Sequence, residues 1–369
     1  MKAVNTFFAF IRKEFYHILR DKRSLLILLG MPVVQIILFG FTLSTEIKNI
    51  KIAVVAPVQD EMIRQIIERI NASDYFTVTG LFTNDEIDRV IRTEKADFAV
   101  VFSPFFADRI FSKEGSQIQL IADATDTNTA RAVVMYSSSI IRDFLADKTA
   151  EVSALGIKPS IRMLYNPQMR SAYSFVPGLM GLIMILICAM MTSISIVREK
   201  EIGTMEVLLV SPVKPIYIIL SKMIPYFAIS CISFASILLL SVFLLGVPLQ
   251  GSFISLCLLS LLYIIVALSL GLFTSTIANS QVTAMLFSGM VLMMPCIFLS
   301  GMVFPVESMP ILLQYASCII PARWYIAGVK KLMIEGLSIG FVSGEFIILG
   351  IMAVVLMTVS LKKFKNRLQ

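Results

Sequence analysis

The chain has 369 residues and a formal net charge of +7, with 57% hydrophobic and only 15% charged residues. Its mean hydropathy of +0.83 is far above that of an ordinary globular enzyme. From Met223 to Val306 there is no Asp, Glu, Lys or Arg, which excludes a soluble fold because about 20 apolar residues already span a bilayer.

The first predicted elements are an interfacial helix over residues 1–23 and a transmembrane helix over residues 24–45. Apolar side chains such as Phe7 alternate with basic ones such as Arg12 and Lys13, a pattern typical of an amphipathic cytoplasmic helix at the membrane surface. The alternative is a basic anchor that only sets orientation. The uncharged run lies far into the chain and lacks a small-residue cleavage site, which favours a retained anchor over a signal peptide.

Residues 46–170 contain 15 Lys and Arg and 17 Asp and Glu, and we expect them to form a water-soluble domain. Strand and helix patterns alternate within it, which predicts a small α/β sheet. The strands are expected at 50–57, 75–82, 98–102 and 117–122, and the helices at 61–70, 85–92 and 129–155. The last helix is long enough to project well above a membrane.

Residues 171–369 are predicted to hold transmembrane helices 2–6, separated by turn-forming and polar residues. These helices are expected near 172–196, 223–245, 253–273, 282–304 and 346–361. The last run is short for a bilayer, so we expect that it begins before Glu345 or lies where the bilayer is thinner. The predicted fold class is an α-helical polytopic membrane protein with six transmembrane helices and an α/β extracytoplasmic domain inserted between helices 1 and 2.

Clusters of Lys and Arg predict the orientation. They occur in residues 2–23, in the loop 198–222 and in residues 362–367. Because cations near span ends are retained on the cytoplasmic side, both termini and the loop 198–222 are expected to be cytoplasmic. The 46–170 domain then lies outside, and the protein is expected to be a multi-pass protein of the inner membrane.

The loop 198–222 begins with an amphipathic pattern, VREKEIGTMEVLLVSPV at residues 197–213. Glutamates and apolar residues are placed directly between two predicted spans. This pattern predicts a short helix at the membrane face that offers acidic and apolar contacts to a cytosolic partner. An ordinary interfacial loop is the alternative.

Residues 305–345 form a hydrophobic outer segment that prolines interrupt. Broken apolar pieces are typical of re-entrant helices, which are tolerated at membrane depth only where protein shields them or where they line a cavity. Pro321, Arg323 and Trp324 are therefore candidate residues of an outer gate. A position for Trp324 in the aromatic belt of the membrane interface is the alternative.

The sequence offers little for catalysis or metal binding. Its single histidine, His17, lies in the basic amino-terminal segment, and four of its five cysteines lie in predicted spans. No catalytic residue and no metal site are predicted. No phosphate-binding loop of the form GxxxxGK[ST] occurs, so the chain is not expected to be an enzyme that hydrolyses ATP.

Several motifs resemble those of one transporter family. They are LIADATDTNTA at 120–130, LYNPQMRSAYSFVPGL at 164–179, REKEIGTMEVLLVSPV at 198–213, SKMIPYF at 221–227 and IIPARWYIAGVKKLMIEG at 319–336. Their order and separation are similar to those of permease subunits of type-2 ATP-binding-cassette exporters, in the multidrug-export-like branch with a large extracytoplasmic domain. The resemblance covers essentially the whole chain.

The resemblance implies a permease subunit of an ATP-driven exporter of hydrophobic or amphipathic compounds such as drugs. A separate ATPase subunit would bind the coupling residues, which are Arg198, Glu199, Glu201, Gly203, Thr204 and Glu206. That ATPase would hold ATP and Mg²⁺, with no cofactor in this chain. A second permease subunit, identical or different, would complete a dimer. Membrane lipid and a periplasmic adaptor are further candidate partners, and nucleic acid is not expected to be one.

Two alternatives stay open at this point. The exported compound could instead be sodium, a lipid or a polysaccharide, because no residue pattern reports the chemistry of the cargo. An alternative from a different class is a membrane receptor or scaffold whose outer domain binds a ligand without transport. Co-purification of an ATPase would distinguish the exporter from the receptor.

Overall fold

The computed structural model describes residues 2–42, 50–58, 60–73, 75–93, 95–110, 116–123, 127–152, 165–166, 170–204 and 215–366. The chain divides into two compact units. One consists of residues 1–45 and 165–369, and the other of residues 46–164. The first unit is helical, and the second contains a four-stranded sheet.

The helices follow the apolar and amphipathic runs of the sequence. In chain order they are α1 (Lys2–Arg20), α2 (Lys22–Thr42), α3 (Glu61–Asn71), α4 (Ile87–Arg92), α5 (Phe106–Ile110), α6 (Thr127–Val152), α7 (Ser171–Glu201), α8 (Pro215–Phe243), α9 (Phe253–Ile277), α10 (Gln281–Leu286), α11 (Leu292–Leu299), α12 (Ile311–Ser317), α13 (Pro321–Met333) and α14 (Ser343–Asn366). The strands are β1 (Ile50–Val55), β2 (Phe76–Leu81), β3 (Phe98–Phe102) and β4 (Ile118–Ala122).

Five helical stretches of the part of the chain that is described are long and apolar enough to cross a membrane. They are Ala172–Glu201, Ile216–Phe243, Phe253–Ile277, Gln281–Leu299 and Ile339–Lys363. A sixth is present if α1 and α2, bent by 66° where they meet, are counted as one span. The prediction of a polytopic helical membrane protein is therefore confirmed, with five or six candidate spans.

The first predicted span, residues 24–45, corresponds to α2, which begins at Lys22 and contains Pro32. A proline lacks the N–H that would bond the carbonyl four residues earlier, which here belongs to Leu28. The hydroxyl of Ser233 in α8 donates to this carbonyl oxygen at 3.4 Å. A side chain of another helix thus supplies the hydrogen bond that the proline removes, and it joins α2 to α8.

Close contact between α7 and α9 forms the centre of the helical unit. A β-carbon at Gly271 of α9 would lie 2.8 Å from Cβ of Thr192 in α7, and closer still to the carbonyl oxygen of Ala189. Small residues allow helix backbones to approach this closely within a membrane. The absence of a side chain at Gly271 therefore determines how tightly α7 and α9 pack.

The fifth predicted span, residues 282–304, is interrupted in the structure. α10 ends at Leu286, a π-helical turn covers Phe287–Val291, and α11 contains Pro295 and ends at Leu299. Both the π turn and the proline displace regular helical hydrogen bonds. The apolar run therefore predicts the span but not its internal break or its end. The last span agrees with expectation, since α14 begins before Glu345.

The predicted re-entrant segment 305–345 contains α12 and α13. α13 is packed inside the helical unit, where the ring of Tyr325 stacks on that of Tyr263 in α9 with 4.1 Å between ring centroids. The Tyr263 hydroxyl donates to the carbonyl oxygen of Gly181 at 2.8 Å, and the hydroxyls of Tyr325 and Ser260 bond at 3.0 Å. Two buried phenols are thus satisfied, which removes the cost of burying them without a partner.

The sheet of the second unit has the strand order β2-β1-β3-β4. β1 is parallel to β2 and β3, and β4 is antiparallel to β3. Alternate residues of β1 lie in two separate apolar clusters, one with Ile63 and Ile66 of α3 and the other with Ile87 and Val90 of α4. Helices therefore cover both faces, as is usual for parallel strands.

Helix α6 covers Thr127–Val152, close to the predicted range 129–155. Its Tyr136 ring stacks on Tyr75, and burial raises the pKa of the Tyr136 phenol to about 12. Three of its apolar side chains are buried in the core of the sheet unit, namely Val133, Ile141 and Phe144. One face of α6 is therefore packed against its own unit rather than standing free.

Replacing Gly271 by alanine is expected to destabilise the helical unit by about 1–3 kcal/mol, because the added methyl group meets backbone atoms of α7 that cannot move aside. The measurement is the thermal unfolding midpoint of the purified protein in detergent. The matched control is Gly350→Ala in α14, where a β-carbon meets no heavy atom within 4 Å. Equal midpoints for the two variants would contradict the packing described for α7 and α9.

Candidate functional site

The predicted coupling residues lie at the end of α7, where the helix leaves the core. The N–H of Ile202 donates to the carbonyl oxygen of Arg198 at 3.0 Å, and the N–H of Gly203 donates to that of Lys200 at 3.2 Å. Gly203 has a φ of +80°, a left-handed conformation that glycine adopts without steric cost. The carbonyl groups of Arg198 and Lys200 are therefore satisfied where α7 ends.

The sequence predicts a short helix at residues 197–213, and the structure describes its first part. Residues 197–201 continue α7 without a break, and the prediction for the remainder of the segment stays a prediction. The predicted coupling residue Glu206 lies outside the described residues, as does the whole of 205–214. The predicted coupling residues that the structure describes are Arg198, Glu199, Glu201, Gly203 and Thr204.

An ion cluster lies beside the end of α7. The Lys222 ammonium group of α8 is 2.9 Å from Glu199 Oε1 and 3.3 Å from Glu14 Oε1 in α1. The side chains of Lys222, Glu14 and Glu199 are 5%, 7% and 15% exposed. Lys13 is more exposed and lies 3.6 Å from Glu14 and 3.9 Å from Glu199. Each carboxylate therefore has a cationic partner, which burial of a charge requires.

The ion cluster was not predicted. The sequence alone places Lys222 among the cytoplasmic cations and Glu14 on the polar face of an amphipathic helix, and 208 positions separate the two. One signal was available, because Lys222 is the last charge before the uncharged stretch that begins at Met223. A charge at the border of a membrane span must find a partner or reach the aqueous interface.

A cavity of about 280 Å³ borders the ion cluster. Its lining includes side chains of both charges, among them Lys13, Glu14, Arg198, Glu199 and Lys222. Glu199 Oε2 is buried and has no hydrogen-bond partner among the described residues. The cavity is large and polar enough to hold several water molecules, which would supply the missing donor.

Two other charged side chains of this segment bond within the chain. Glu201 Oε2 accepts a hydrogen bond from Gln281 Nε2 at 2.7 Å and from the Gln281 backbone N–H at 3.3 Å. Because Gln281 is the first residue of α10, the carboxylate is also stabilised by the helix dipole. The Lys200 ammonium donates to the carbonyl oxygen of Ser275 in α9. These bonds fix the end of α7 to α9 and α10.

The described residues at this end expose both apolar and polar side chains. Residues 201–204 are all exposed, and the apolar Ile202 side chain is 62% exposed. The Thr204 hydroxyl donates to the carbonyl oxygen of Glu199 at 3.3 Å. A rigid helix end thus presents an apolar side chain flanked by a carboxylate and a hydroxyl.

The predicted outer-gate residues lie together at the beginning of α13, where Pro321 is the first residue and needs no N–H partner. Arg323 Nη1 donates to the carbonyl oxygen of Gln314 at 2.8 Å and lies 3.1 Å from Cys318 Sγ. Trp324 Nε1 donates to the carbonyl oxygen of Cys318 at 3.0 Å. Arg323 and Trp324 thereby satisfy acceptors at the end of α12, which has no helical donors left for them.

A second ion pair joins α13 to α14. The Lys331 ammonium lies 2.7 Å from Glu345 Oε1, and the Glu345 side chain is 8% exposed. Next to it, Lys330 donates to the carbonyl oxygen of Gly301 at 3.2 Å. The part of the chain that the structure describes contains no group of three or more His, Cys, Asp or Glu that could hold a metal ion.

The chain is similar to known transporter proteins over most of its length. Residues 22–362 match the family described as ABC-2 family transporter protein. The chain is similar to the probable multidrug ABC transporter permease YbhS of Escherichia coli K12, with 30% identity over 329 residues that cover 88% of this chain and 87% of YbhS. It is 30% identical to the probable multidrug ABC transporter permease YbhR of the same strain, over 90% of each chain. It is 27% identical to the inner membrane transport permease YhhJ, over 99% of this chain and 98% of YhhJ.

Replacing Arg323 by alanine is expected to speed alkylation of Cys318 by about tenfold, because the end of α12 loses its charged donor and opens more often. The rate is measured by mass spectrometry of maleimide-labelled peptides. The matched control is Lys363→Met, since Lys363 lies 5.0 Å from the ring centre of Phe273 just as Arg323 does from that of Trp324. An unchanged rate in the Arg323 variant would contradict this role.

Proposed function

Because the chain belongs to the ABC-2 family of transporter proteins, we propose that it is the permease of an ATP-driven exporter of hydrophobic or amphipathic compounds. The descriptions of YbhS and YbhR as probable multidrug permeases favour drugs over sodium, lipid or polysaccharide as cargo. They also favour transport over a receptor or scaffold role. The observation that most strongly supports this proposal is the family match over residues 22–362.

Coupling to a separate ATPase subunit is proposed at the end of α7. The argument rests on residues 201–204, which are exposed, and on the bonds of Glu199, Lys200 and Glu201 that hold this end rigidly. A rigid end can pass on a displacement that an ATPase makes when it closes on ATP and Mg²⁺. The Ile202 side chain supplies the apolar anchor that a docking contact needs.

The proposed assembly contains a second permease subunit, identical or different, with the substrate path between the two. Both termini and the end of α7 face the cytoplasm, and the sheet unit lies outside, as the distribution of cations suggests. A periplasmic adaptor is a candidate partner of the sheet unit, and lipid surrounds the spans. The α12–α13 hairpin, which Arg323 and Trp324 hold closed, is the proposed outer gate.

The proposed orientation predicts opposite labelling of two single cysteines. A cysteine in place of Asn84, which is exposed in the sheet unit, should react with an impermeant maleimide on intact cells. A cysteine in place of Thr204, which is also exposed, should react only after the membrane has been opened. The parent chain with its five cysteines gives the background, and the reverse labelling pattern would refute the orientation.

The proposed docking site predicts that Ile202→Asp weakens binding of the ATPase subunit by about tenfold, because a carboxylate would be buried at the centre of the contact. Co-purification of the ATPase with the tagged permease measures this. The matched control is Val58→Asp, since Val58 is 44% exposed and lies in the sheet unit, outside the candidate spans. Equal loss in both variants, or no loss in either, would count against docking at residues 201–204.

A further inference from the structure

One ammonium group connects three helices at the proposed docking end. Lys222 of α8 pairs with Glu14 of α1 and with Glu199 of α7. Both carboxylates contact Lys222 through their Oε1 atoms, and the Lys222 side chain is almost fully buried. The amino-terminal helix and the two spans that flank residues 202–214 are therefore joined by a single side chain.

Burial makes this connection stronger than an ion pair on the surface. A buried charge that loses its partner has given up its hydration without any compensating attraction. Lys13 also approaches both carboxylates, but its side chain is 56% exposed, and water weakens its attraction. Lys222 is therefore the cation that keeps Glu14 and Glu199 together against their mutual repulsion.

The position of Glu199 links the ion cluster to the docking surface. Glu199 and Glu201 belong to the last turn of α7, directly before the exposed Ile202. A helical turn moves as a rigid piece, so a displacement of Ile202 also displaces the Glu199 carboxylate. Lys222 lies within the first turns of α8, and the same displacement therefore reaches α8.

We propose that Lys222 is a positioning residue that transmits movement of the docked ATPase from the end of α7 to α1 and α8. This inference rests on the proposed docking at residues 201–204. With the ammonium present, the three helix ends move together. Without it, Glu14 and Glu199 repel each other, and α7 shifts without pulling on its neighbours.

The test uses the permease in complex with its co-purifying ATPase in lipid nanodiscs, and hydrogen–deuterium exchange with and without ATP and vanadate. In the parent complex, nucleotide is expected to change the exchange rate about fivefold at 198–204, in α1 and in the first turns of α8. In Lys222→Met the change at 198–204 should persist, whereas the changes in α1 and α8 should fall below about twofold. Lys222→Arg should restore them.

Two further variants guard against a simple loss of folding. Glu14→Gln keeps the pair of Lys222 with Glu199 and is expected to abolish only the change in α1. Lys331→Met breaks the ion pair with Glu345 and should leave all three changes intact. Parental changes in both Lys222→Met and Glu14→Gln would overturn the inference while leaving docking in place. Failure of the parent chain to bind any ATPase would overturn the docking proposal, and this inference with it.

Discussion

The contact between α7 and α9 is the interaction on which the helical unit depends. In lipid the hydrophobic effect does not drive helices together, so close packing and hydrogen bonds must do so. Gly271 lets the two backbones approach, and the Tyr263 hydroxyl of α9 bonds to the Gly181 carbonyl of α7. α13 is then held by the stacking of Tyr325 on Tyr263. The α12–α13 hairpin is thereby built on the same pair of helices, α7 and α9.

The charged side chains near the end of α7 bond to other residues of the same chain. Glu199 pairs with Lys222, Glu201 bonds to Gln281, and Lys200 bonds to Ser275. These bonds hold the charged side chains within the chain and leave the apolar Ile202 exposed. A surface that is already rigid loses little conformational entropy when it binds. The rigidity of this helix end therefore favours binding of a partner there.

Local patterns in the sequence predict most of the elements, because uncharged runs and alternating periods depend on neighbouring residues alone. They do not predict contacts made across the chain. Lys222 and Glu14 look like ordinary cytoplasmic charges until folding places them 3.3 Å apart. Arg323 is recognisable as an unusual charge within an apolar segment. Its hydrogen bond to the end of α12, however, depends on how α12 and α13 fold against each other. The apolar sequence pattern does not predict that residues 287–291 form a π turn.

The hydrogen bond between Ser233 and the Leu28 carbonyl has a consequence for the order of assembly. Pro32 frees that carbonyl as soon as α2 becomes helical, yet the hydroxyl that satisfies it belongs to α8, which is synthesised much later. An unpaired carbonyl in hydrocarbon costs several kcal/mol. The amino-terminal span, although it is made first, therefore gains the hydrogen bond at this carbonyl only after α8 has been made.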